Sequence, residues 1–434
     1  MRIVHLAAGA ASMYCGACAR DAAMARALIE RGHEVSIVPL YTPLRIEALG
    51  ELPVTEVHLG ALNAYVQQLT GRRLPGPLAS LLDRESLLRF VSRFAVSTKP
   101  SQLGPMTVSV LAGADGRQRA EVERLMQFLE REARPDAISI TNSMLSGVVP
   151  EIKRRLGLPV LCEVKGEDGF IDALPQPYRD QAVGLMRRNA DAVDRFIAPT
   201  EAYADTMATY LAIPRERVAV VRSIVDASRF RRPGPRPREP FTVGYLSVIT
   251  PRKGLHLLVE AFTKLVREGR DVRLRVSGQV LDRRYWLEVR RTLARKVPAD
   301  RFEYLGGIGL AEKVALLHSL SVFCQPSIKP EALGTASLEA QAAGVPVVAP
   351  DEGVFPEMLG LTCGGLLFAA DNADALAAAL MQMMDDPTKA DAMGAGAAEA
   401  VAREFSGPAA ASAMEKLLDS VVAHGGAESG EDTL

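Results

Sequence analysis

Residues 326–344 read Pro-Ser-Ile-Lys-Pro-Glu-Ala-Leu-Gly-Thr-Ala-Ser-Leu-Glu-Ala-Gln-Ala-Ala-Gly and carry two acids eight positions apart, Glu331 and Glu339. An apolar stretch, Ser321–Gln325, comes directly before them and is typical of a buried strand. Gly344 follows at a position where a helix would end. The pattern predicts a strand, then a loop that contains Glu331, then a helix with Glu339 about one turn from its start.

A strand, loop and helix in this order form a common ligand site. In open α/β sheets, ligands bind beyond the carboxyl ends of the strands, beside helix N-termini. One carboxylate there can bind the vicinal diol of a ribose, and a second can face a sugar ring. The first backbone amides of the helix, around Leu333, Gly334 and Thr335, have no partner within the helix and can bind phosphate. The sequence therefore predicts a nucleotide-sugar site around Glu331 and Glu339.

A second loop of this kind lies earlier in the chain. A strand is predicted to end near Ile249 and a helix to begin near Leu255, with Arg252, Lys253 and Gly254 between them. Basic side chains beside the positive end of a helix dipole complement a diphosphate. The alternative is two exposed basic residues in a turn. The loop with Arg252 and Lys253 follows a strand of the same predicted sheet as the loop with Glu331, which favours a role in diphosphate binding.

Length and composition limit the class of protein. At 434 residues the chain exceeds a single core, so two or three domains are expected. A net charge of −1 and a pI near 6.6 argue against a nucleic-acid binder. No apolar run approaches the ~20 residues that span a bilayer, and five cysteines do not suggest a disulfide framework. We expect a soluble, cytoplasmic protein whose opening residues form a strand and not a signal peptide.

Apolar strand-like runs alternate with helical patterns, which predicts an α/β fold with parallel sheets and crossover helices. The strands predicted in the first half are Arg2–Ala7, Glu34–Leu40, Asp136–Thr141, Pro159–Val164, Arg195–Ala198 and Arg217–Arg222. Those predicted in the second half are Thr242–Ile249, Val272–Ser277, Phe302–Leu305, Val322–Gln325, Pro346–Ala349 and Gly365–Phe368.

The segment Arg229–Pro240, rich in Pro and Arg, reads as a connector between two domains. We expect an N-terminal acceptor-binding domain over residues 1–225 and a C-terminal donor-binding domain over 226–402. A last helix, 403–424, is expected to return to the first domain, and 425–434 to form a disordered tail.

Residues 47–116 break this alternation and look like a helical insertion, with turns at Pro75–Gly76 and Gly104–Pro105. Residues 61–100 contain six basic and two acidic side chains among leucines and phenylalanines. One interpretation is a patch that recognises the acceptor or makes peripheral contact with the inner face of a membrane. The other, which we favour because many surface helices have this composition, is a helical lid with a solvated charged face.

These motifs together resemble the retaining glycosyltransferases of family 4. Glu331 and Glu339 fit the E-x7-E element of that family, and Lys253 with Gly254 resembles its Lys-Gly phosphate loop. Residues 31–35, Arg-Gly-His-Glu-Val, resemble the end of its first helix and the start of its second strand. The resemblance implies the GT-B fold, in which two Rossmann-like parallel-sheet domains face each other across a cleft.

The resemblance also implies an activity, the transfer of a hexose from a nucleotide-diphosphate sugar with retention of configuration. Glu339 would bind the ribose, Glu331 the transferred sugar and Lys253 the diphosphate. The donor would be UDP-, GDP- or ADP-linked, and the acceptor a glycan, a lipid-linked molecule or a small molecule. No cofactor and no metal are implied. The sequence contains no Asp-x-Asp pair, so Lys253 and backbone amides would stabilise the leaving diphosphate.

The chain departs from the family pattern in three places. Val248 stands where the family usually has an Arg, five residues before the lysine. The glycine pair after the first strand is replaced by Cys-Gly, and the His-Asp or His-Gly pair after a middle strand is replaced by Lys-Gly-Glu-Asp-Gly. These substitutions give the predicted acceptor-side residues, which are Cys15, Gly16, Lys165, Glu167 and Asp168.

Other functions remain open. Cys15 and Cys18 form a C-x-x-C before a helix, which suggests a thiol-redox role, although we prefer small packing residues beside an acceptor cleft. A nicotinamide dehydrogenase fits poorly, because the early glycines do not form G-x-G-x-x-G and no acid ends the second strand. A non-catalytic GT-B scaffold or binding protein is the main alternative. Val248 favours it, and the intact glutamate pair argues against it.

Overall fold

The chain folds into two compact α/β units. The computed structural model describes residues 1–8, 16–40 and 100–428. The first unit comprises Met1–Arg222 together with the chain from Ala410 on, and the second comprises Ser223–Ala409. Each unit is built on one six-stranded, all-parallel sheet, which confirms the predicted fold class.

The sheet of the first unit has the strand order β2-β1-β3-β4-β5-β6. Its strands are β1 (Arg2–Ala7), β2 (Glu34–Pro39), β3 (Ala137–Ile140), β4 (Val160–Glu163), β5 (Arg195–Ala198) and β6 (Val218–Val220). Its helices are α1 (Gly16–Ile29), α2 (Pro100–Leu111), α3 (Arg119–Phe128), α4 (Val149–Leu156), α5 (Asp168–Ile171), α6 (Tyr178–Ala190) and α7 (Glu201–Leu211).

The sheet of the second unit has the order β12-β11-β10-β7-β8-β9. Its strands are β7 (Phe241–Leu246), β8 (Val272–Ser277), β9 (Phe302–Tyr304), β10 (Val322–Cys324), β11 (Val347–Pro350) and β12 (Gly365–Phe368). The helices are α8 (Leu255–Arg267), α9 (Arg283–Lys296), α10 (Leu310–His318), α11 (Thr335–Ala342), α12 (Phe355–Thr362), α13 (Ala373–Asp385) and α14 (Pro387–Glu404). The last helix, α15 (Gly407–Glu428), belongs to the first unit from Ala410 on.

Most strands form where the sequence is largely apolar, because helices cover both faces of each sheet. Strand β8 instead alternates buried apolar residues with Arg273 and Arg275. All residues of β3, β4, β10 and β11 are buried. Helix α8 presents a regular apolar face to its sheet, and the buried residues of this face include Leu257, Leu258, Ala261, Phe262 and Leu265. This spacing is the 3.6-residue period from which the helix was predicted.

The predicted strands differ from the observed ones mainly at their ends. The largest difference is in β7, which ends at Leu246 and not at Ile249. Ile249 makes only an isolated bridge to Val280, because the chain has already left the sheet for the loop before α8.

The predicted turn at Gly104–Pro105 is wrong, since both residues lie inside α2. A Cβ added to Gly104 would lie 2.5 Å from the ring of Tyr178 in α6. The glycine therefore serves close helix packing, and this tertiary contact overrides the local preference for a turn. The rest of the predicted insertion up to residue 99, including the turn at Pro75–Gly76 and nearly all of the basic segment 61–100, lies outside the described residues.

Three arginines hold the connector segment on the second unit. Arg232 donates to the carbonyl of Leu317, and Arg236 and Arg238 both pair with Asp391. In the first unit, Glu415 of α15 lies 2.5 Å from the guanidinium of Arg31 and accepts a hydrogen bond from His33. Within the described ranges, no helix is both long and apolar enough to cross a bilayer.

Candidate functional site

The order of the strands in the second unit creates a natural binding position. β7 and β10 are neighbours in the sheet, and the chain proceeds from β7 toward one edge and from β10 toward the other. The loops after these two strands therefore diverge at a topological switch point, where open α/β sheets bind their ligands. The loop after β7 carries Lys253, and the loop after β10 carries Glu331.

The two loops are packed directly against each other. Gly254 has a φ of 70°, and a Cβ at this position would lie 1.7 Å from the carbonyl oxygen of Pro326. The backbone amide of Ile328 donates to the carbonyl of Arg252 at 3.0 Å. Only glycine fits both the left-handed backbone and this close approach. The contact fixes where the preceding lysine lies.

Lys253 and Glu331 form an ion pair, with 2.5 Å between Nζ and Oε1. The hydroxyl of Ser327 donates to the same carboxylate oxygen at 2.6 Å. The side chains of Lys253 and Glu331 are only 17% and 12% exposed, so solvent screens the pair weakly. Ser327 was missed in the sequence, because a serine after a strand carries no distinguishing pattern.

A third loop supports Glu331 from the backbone side. Gly353, between β11 and α12, has a φ of 63°, and a Cβ there would lie 2.6 Å from the amide nitrogen of Glu331. The amide of Val354 donates to the carbonyl of Glu331 at 2.9 Å. Three successive loops at the carboxyl edge of the sheet therefore determine the position of this one residue.

Glu339 lies in the second turn of α11 and has a different partner. It is 5% exposed, and its Oε1 accepts a bond of 2.7 Å from Nζ of Lys313 in α10. Burial raises the pKa of Glu339 above its ordinary value, and the attraction of Lys313 offsets only part of this shift. The structure thus joins Lys253 to Glu331 and gives Glu339 a separate cation. Lys313 lies in an ordinary helical pattern, so no sequence signal pointed to it.

The remaining predicted donor-side residues lie around these side chains. Leu333 and Gly334 directly precede the start of α11 at Thr335, and Gly334 has a left-handed φ of 57°. The hydroxyl of Ser337 donates to the side chain of Gln325 at 2.8 Å, which ties the helix start to the end of β10.

Two further residues of the loop after β7, Arg252 and Val248, were singled out in the sequence, and both lie at the surface. Arg252 belongs to the single turn Pro251–Lys253 and is exposed. Val248 is 38% exposed, and its carbonyl accepts a hydrogen bond from the hydroxyl of Tyr245 at 3.3 Å.

The predicted acceptor-side residues belong to the first unit. Cys15 lies outside the described residues, and Gly16 is the first residue of α1. Lys165 follows β4, and its Nζ contacts Asp21, Thr141 at 3.2 Å and Glu163 at 3.2 Å. Its side chain is only 5% exposed.

Glu167 and Asp168 shape the loop that follows β4. Glu167 accepts hydrogen bonds from the backbone amides of Ser143 and Lys165, at 3.0 and 2.6 Å. Asp168 accepts a bond of 2.6 Å from the hydroxyl of Tyr203, which itself accepts one from the amide of Gly166. These contacts give both carboxylates a role in fixing the loop, and their proposed contact with an acceptor stays a prediction.

A buried network of charges lies at the switch point of the first sheet. It consists of His5 in β1, Arg20 and Asp21 in α1, and Glu163 and Lys165 at the end of β4. One ligand atom each from His5, Asp21 and Glu163 lie within 4.8 Å of one another, a separation that a metal ion could bridge. The ammonium of Lys165 contacts both carboxylates, and the guanidinium of Arg20 lies 3.5 Å from Glu163. Two cations of the chain itself therefore already balance the two carboxylates.

Asp21 is the acid of this network whose pKa is lowered. Burial alone would raise its pKa, but the attraction of Lys165 and His5 outweighs burial, and the pKa of Asp21 lies well below its usual range. The sequence did not single out Asp21, because a lone acid in the middle of a helix is ordinarily exposed.

The two units match models of two glycosyltransferase domain families. Residues 16–223 match the glycosyl transferase 4-like domain, and residues 226–400 match the glycosyl transferases group 1 domain. The chain therefore belongs to the glycosyltransferases that carry these two domains, which confirms the resemblance found in the sequence.

Curated relatives match parts of the chain. A phosphatidyl-myo-inositol mannosyltransferase of Mycolicibacterium smegmatis is 34% identical over 151 residues, which are 35% of this chain and 38% of that protein. A putative colanic acid biosynthesis glycosyltransferase, WcaL, of Escherichia coli is 32% identical over 171 residues, 38% of this chain and 41% of that protein. The matched part thus spans less than half the length of either relative.

Solved structures share the fold over nearly the whole chain. Anabaena HepE, in complex with UDP and glucose, superposes with a TM-score of 0.67 and 17% identity, covering 97% of this chain and all of that one. The catalytic domain of starch synthase IV from Arabidopsis thaliana, bound to ADP and acarbose, gives 0.69 at 14% identity, covering 97% and 99%. At such identities the likeness shows the fold alone.

The network around Asp21 predicts a pH dependence of stability. In the unfolded chain an Asp titrates near pH ~4. Because the folded pKa is lower, the ionised carboxylate adds stability above that pH, and this contribution is lost as the pH falls toward the folded pKa. Asp21→Asn should lower the free energy of unfolding at pH 7 by about 3–5 kcal/mol, the scale of a broken buried pair, and flatten its decline below pH ~4.

Chemical denaturation at a series of pH values measures both effects. Asp205→Asn is the matched control, because Asp205 pairs with Arg215 while 71% exposed, and its loss should change stability by about 0–1 kcal/mol. Equal stability of wild type and Asp21→Asn at pH 7 would contradict the assignment.

Proposed function

We propose that this protein transfers a sugar from a nucleoside-diphosphate sugar to an acceptor, with retention of the anomeric configuration. The ion pair of Lys253 and Glu331 at the switch point of the second sheet is the observation that carries this proposal. A cation that suits a diphosphate and a carboxylate that suits a sugar are hydrogen-bonded to each other at the position where parallel sheets bind nucleotides, and this supports the proposal.

Each donor-side group has a task in this reaction. Lys253 neutralises the charge that develops on the diphosphate as the bond to the sugar breaks, with help from the first amides of α11. Glu331 accepts hydrogen bonds from the transferred sugar. Glu339 binds the ribose diol. The acceptor hydroxyl attacks the anomeric carbon on the face that the diphosphate leaves, and the departing phosphate oxygen takes its proton.

The first unit supplies the acceptor side in this proposal. The relatives named above are a phosphatidyl-myo-inositol mannosyltransferase and a putative colanic acid biosynthesis enzyme. Their names support a glycan or lipid-linked acceptor. For a lipid-linked acceptor, our proposal includes peripheral contact of the protein with the inner face of the membrane. Lys165, Glu167 and Asp168 are the first-unit residues that we assign to this side.

Replacing the carboxylate at position 331 tests the catalytic assignment. Glu331→Gln keeps the size of the side chain but removes the charge, so release of nucleoside diphosphate from the sugar nucleotide should fall by about 10²–10³-fold. The amide oxygen of Gln can still accept hydrogen bonds from Lys253 and Ser327, so the variant should stay folded, and its melting temperature separates a loss of catalysis from a loss of folded protein. Glu352→Gln, on the exposed loop after β11, is the matched control. Wild-type turnover by Glu331→Gln would refute the role.

A thermal-shift panel with UDP, GDP and ADP tests the donor site. A nucleotide present at ~100 times its dissociation constant should add about 2.7 kcal/mol to stability. Glu339→Ala and Lys253→Ala should each weaken the binding free energy of the nucleotide that stabilises the protein by about 1–3 kcal/mol, the scale of a hydrogen bond to a charged group. Unchanged affinity in both variants would eliminate this site.

The raised pKa of Glu339 adds a pH dependence to the same assay. The diol requires the ionised carboxylate, so nucleotide affinity should decline on acidification at a pH above the ordinary titration of Glu near ~4.3. In Glu339→Gln this decline should be absent.

We also propose that transfer needs no metal ion, since Lys253 and backbone amides provide the charge that a metal would otherwise supply. Activity after dialysis against a chelator should therefore equal untreated activity, and added Mg²⁺ or Mn²⁺ should not raise it. A loss on chelation that either ion restores would overturn this part of the proposal.

A further inference from the structure

We propose that Lys313 is a positioning residue for the ribose: it keeps Glu339 ionised and oriented so that this carboxylate can bind the two hydroxyls of the donor. The inference rests on the proposed function, because it assumes that Glu339 meets a ribose. Nothing in the sequence motifs includes Lys313. The bond of 2.7 Å from its Nζ to Oε1 of Glu339 brings it into the donor site.

Burial makes this partner necessary. The side chains of Lys313 and Glu339 are 9% and 7% exposed. An isolated carboxyl group at such a depth favours its neutral form, because removing an anion from water is costly. A neutral acid carries a proton of its own and accepts hydrogen bonds poorly. A diol donates two hydrogen bonds, so it requires the anion that Lys313 stabilises.

The ammonium also fixes where the carboxylate points. It bonds to Oε1, and a carboxylate oxygen can accept more than one hydrogen bond, so the ion pair is compatible with a bound diol. Lys313 is itself held from another side. Its Nζ lies 5.8 Å from the ring centroid of Phe230, within reach of a cation–π attraction. His318 in turn donates to the carbonyl of Phe230 at 2.8 Å.

The two helices that carry the pair are tied together at their ends. Arg232 of the connector donates to the carbonyl of Leu317 in α10, at 3.1 Å, and to that of Ala343, which follows α11, at 3.4 Å. Cations at helix C-termini are stabilising, and here one guanidinium serves two helices. Leu316 of α10 and Leu338 of α11 also belong to one buried cluster. The shared core and the bonds of Arg232 keep the two helices, and with them Lys313 and Glu339, close together.

The proposal predicts a change in specificity and not only in affinity. A group that acts through Glu339 on the ribose hydroxyls affects ligands that have those hydroxyls. A group that only maintains the fold affects all ligands alike. The ratio of the affinities for a nucleoside diphosphate and for its 2′,3′-dideoxy counterpart separates these two roles.

The experiment uses the full chain and the one of UDP, GDP or ADP that stabilises it most, together with the dideoxy analogue of that nucleotide. Wild type should bind the natural nucleotide at least about tenfold more tightly than the dideoxy analogue, because the analogue lacks the hydroxyls that hydrogen-bond to the charged carboxylate. Lys313→Met has an unbranched side chain of similar length but no charge. It should bring this ratio close to one, while its affinity for the dideoxy analogue equals that of wild type. Lys313→Arg should restore most of the ratio.

Lys153→Met is the control, because Lys153 also pairs with an acid, Asp194, at 2.8 Å, but lies in the first unit. The ratio of the two nucleotide affinities in Lys153→Met should equal that of wild type. If Lys313→Met is too unstable to measure, Lys313→Gln removes the charge and keeps a polar side chain that can donate to Glu339, so it should fold, again with a ratio well below that of wild type. A wild-type ratio in Lys313→Gln would overturn the inference.

The outcomes distinguish this inference from the function on which it rests. A wild type that binds both nucleotides equally overturns the ribose role of Glu339 and the inference with it. A wild type that discriminates, with a Lys313→Met variant that discriminates as well, overturns the inference alone. A Lys313→Met variant that loses affinity for both ligands in proportion shows a purely structural lysine and also overturns it.

Discussion

Strands β7 and β10 pair in parallel, with Val243 opposite Val322 and Gly244 opposite Phe323. The chain reaches β10 only after it has formed β8 and β9 on the other side of β7. Because of this order, two loops that are 78 residues apart in sequence leave the sheet side by side. The approach of Gly254 to the carbonyl of Pro326 then brings these loops into direct contact. The Lys253–Glu331 pair, and the donor chemistry that we assign to it, depends on this contact.

Both units place buried charge at the switch point of a parallel sheet, but they do so differently. In the second unit the acids have one cation each, Lys253 for Glu331 and Lys313 for Glu339. In the first unit several charges share one buried network around Lys165. Buried ion pairs rarely add much net stability, since desolvation offsets their attraction. Their value here lies in holding ionised groups in fixed positions beside the ends of the strands.

Much of the fold was visible in the sequence, because parallel strands covered on both faces are continuously apolar and their helices repeat every 3.6 residues. The predicted and observed bounds of Arg2–Ala7, Val272–Ser277 and Gly365–Phe368 are identical. The prediction failed at Gly104–Pro105, where packing against Tyr178 keeps a helix intact. A glycine that serves a distant ring and one that serves a turn look the same in a sequence.

The local sequence by itself determined that Lys253 and Glu331 lie in loops after strands and that Glu339 lies near the start of a helix, because strand ends and helix starts are encoded by neighbouring residues. The resemblance of these motifs to those of family 4 also indicated a glycosyltransferase, and the two domain families that match the chain bear this out. Only the tertiary structure decided their partners. Lys313 is 26 residues from Glu339, and Lys165 is 144 residues from Asp21. Such pairs follow from how helices and strands pack, and no local pattern records that packing.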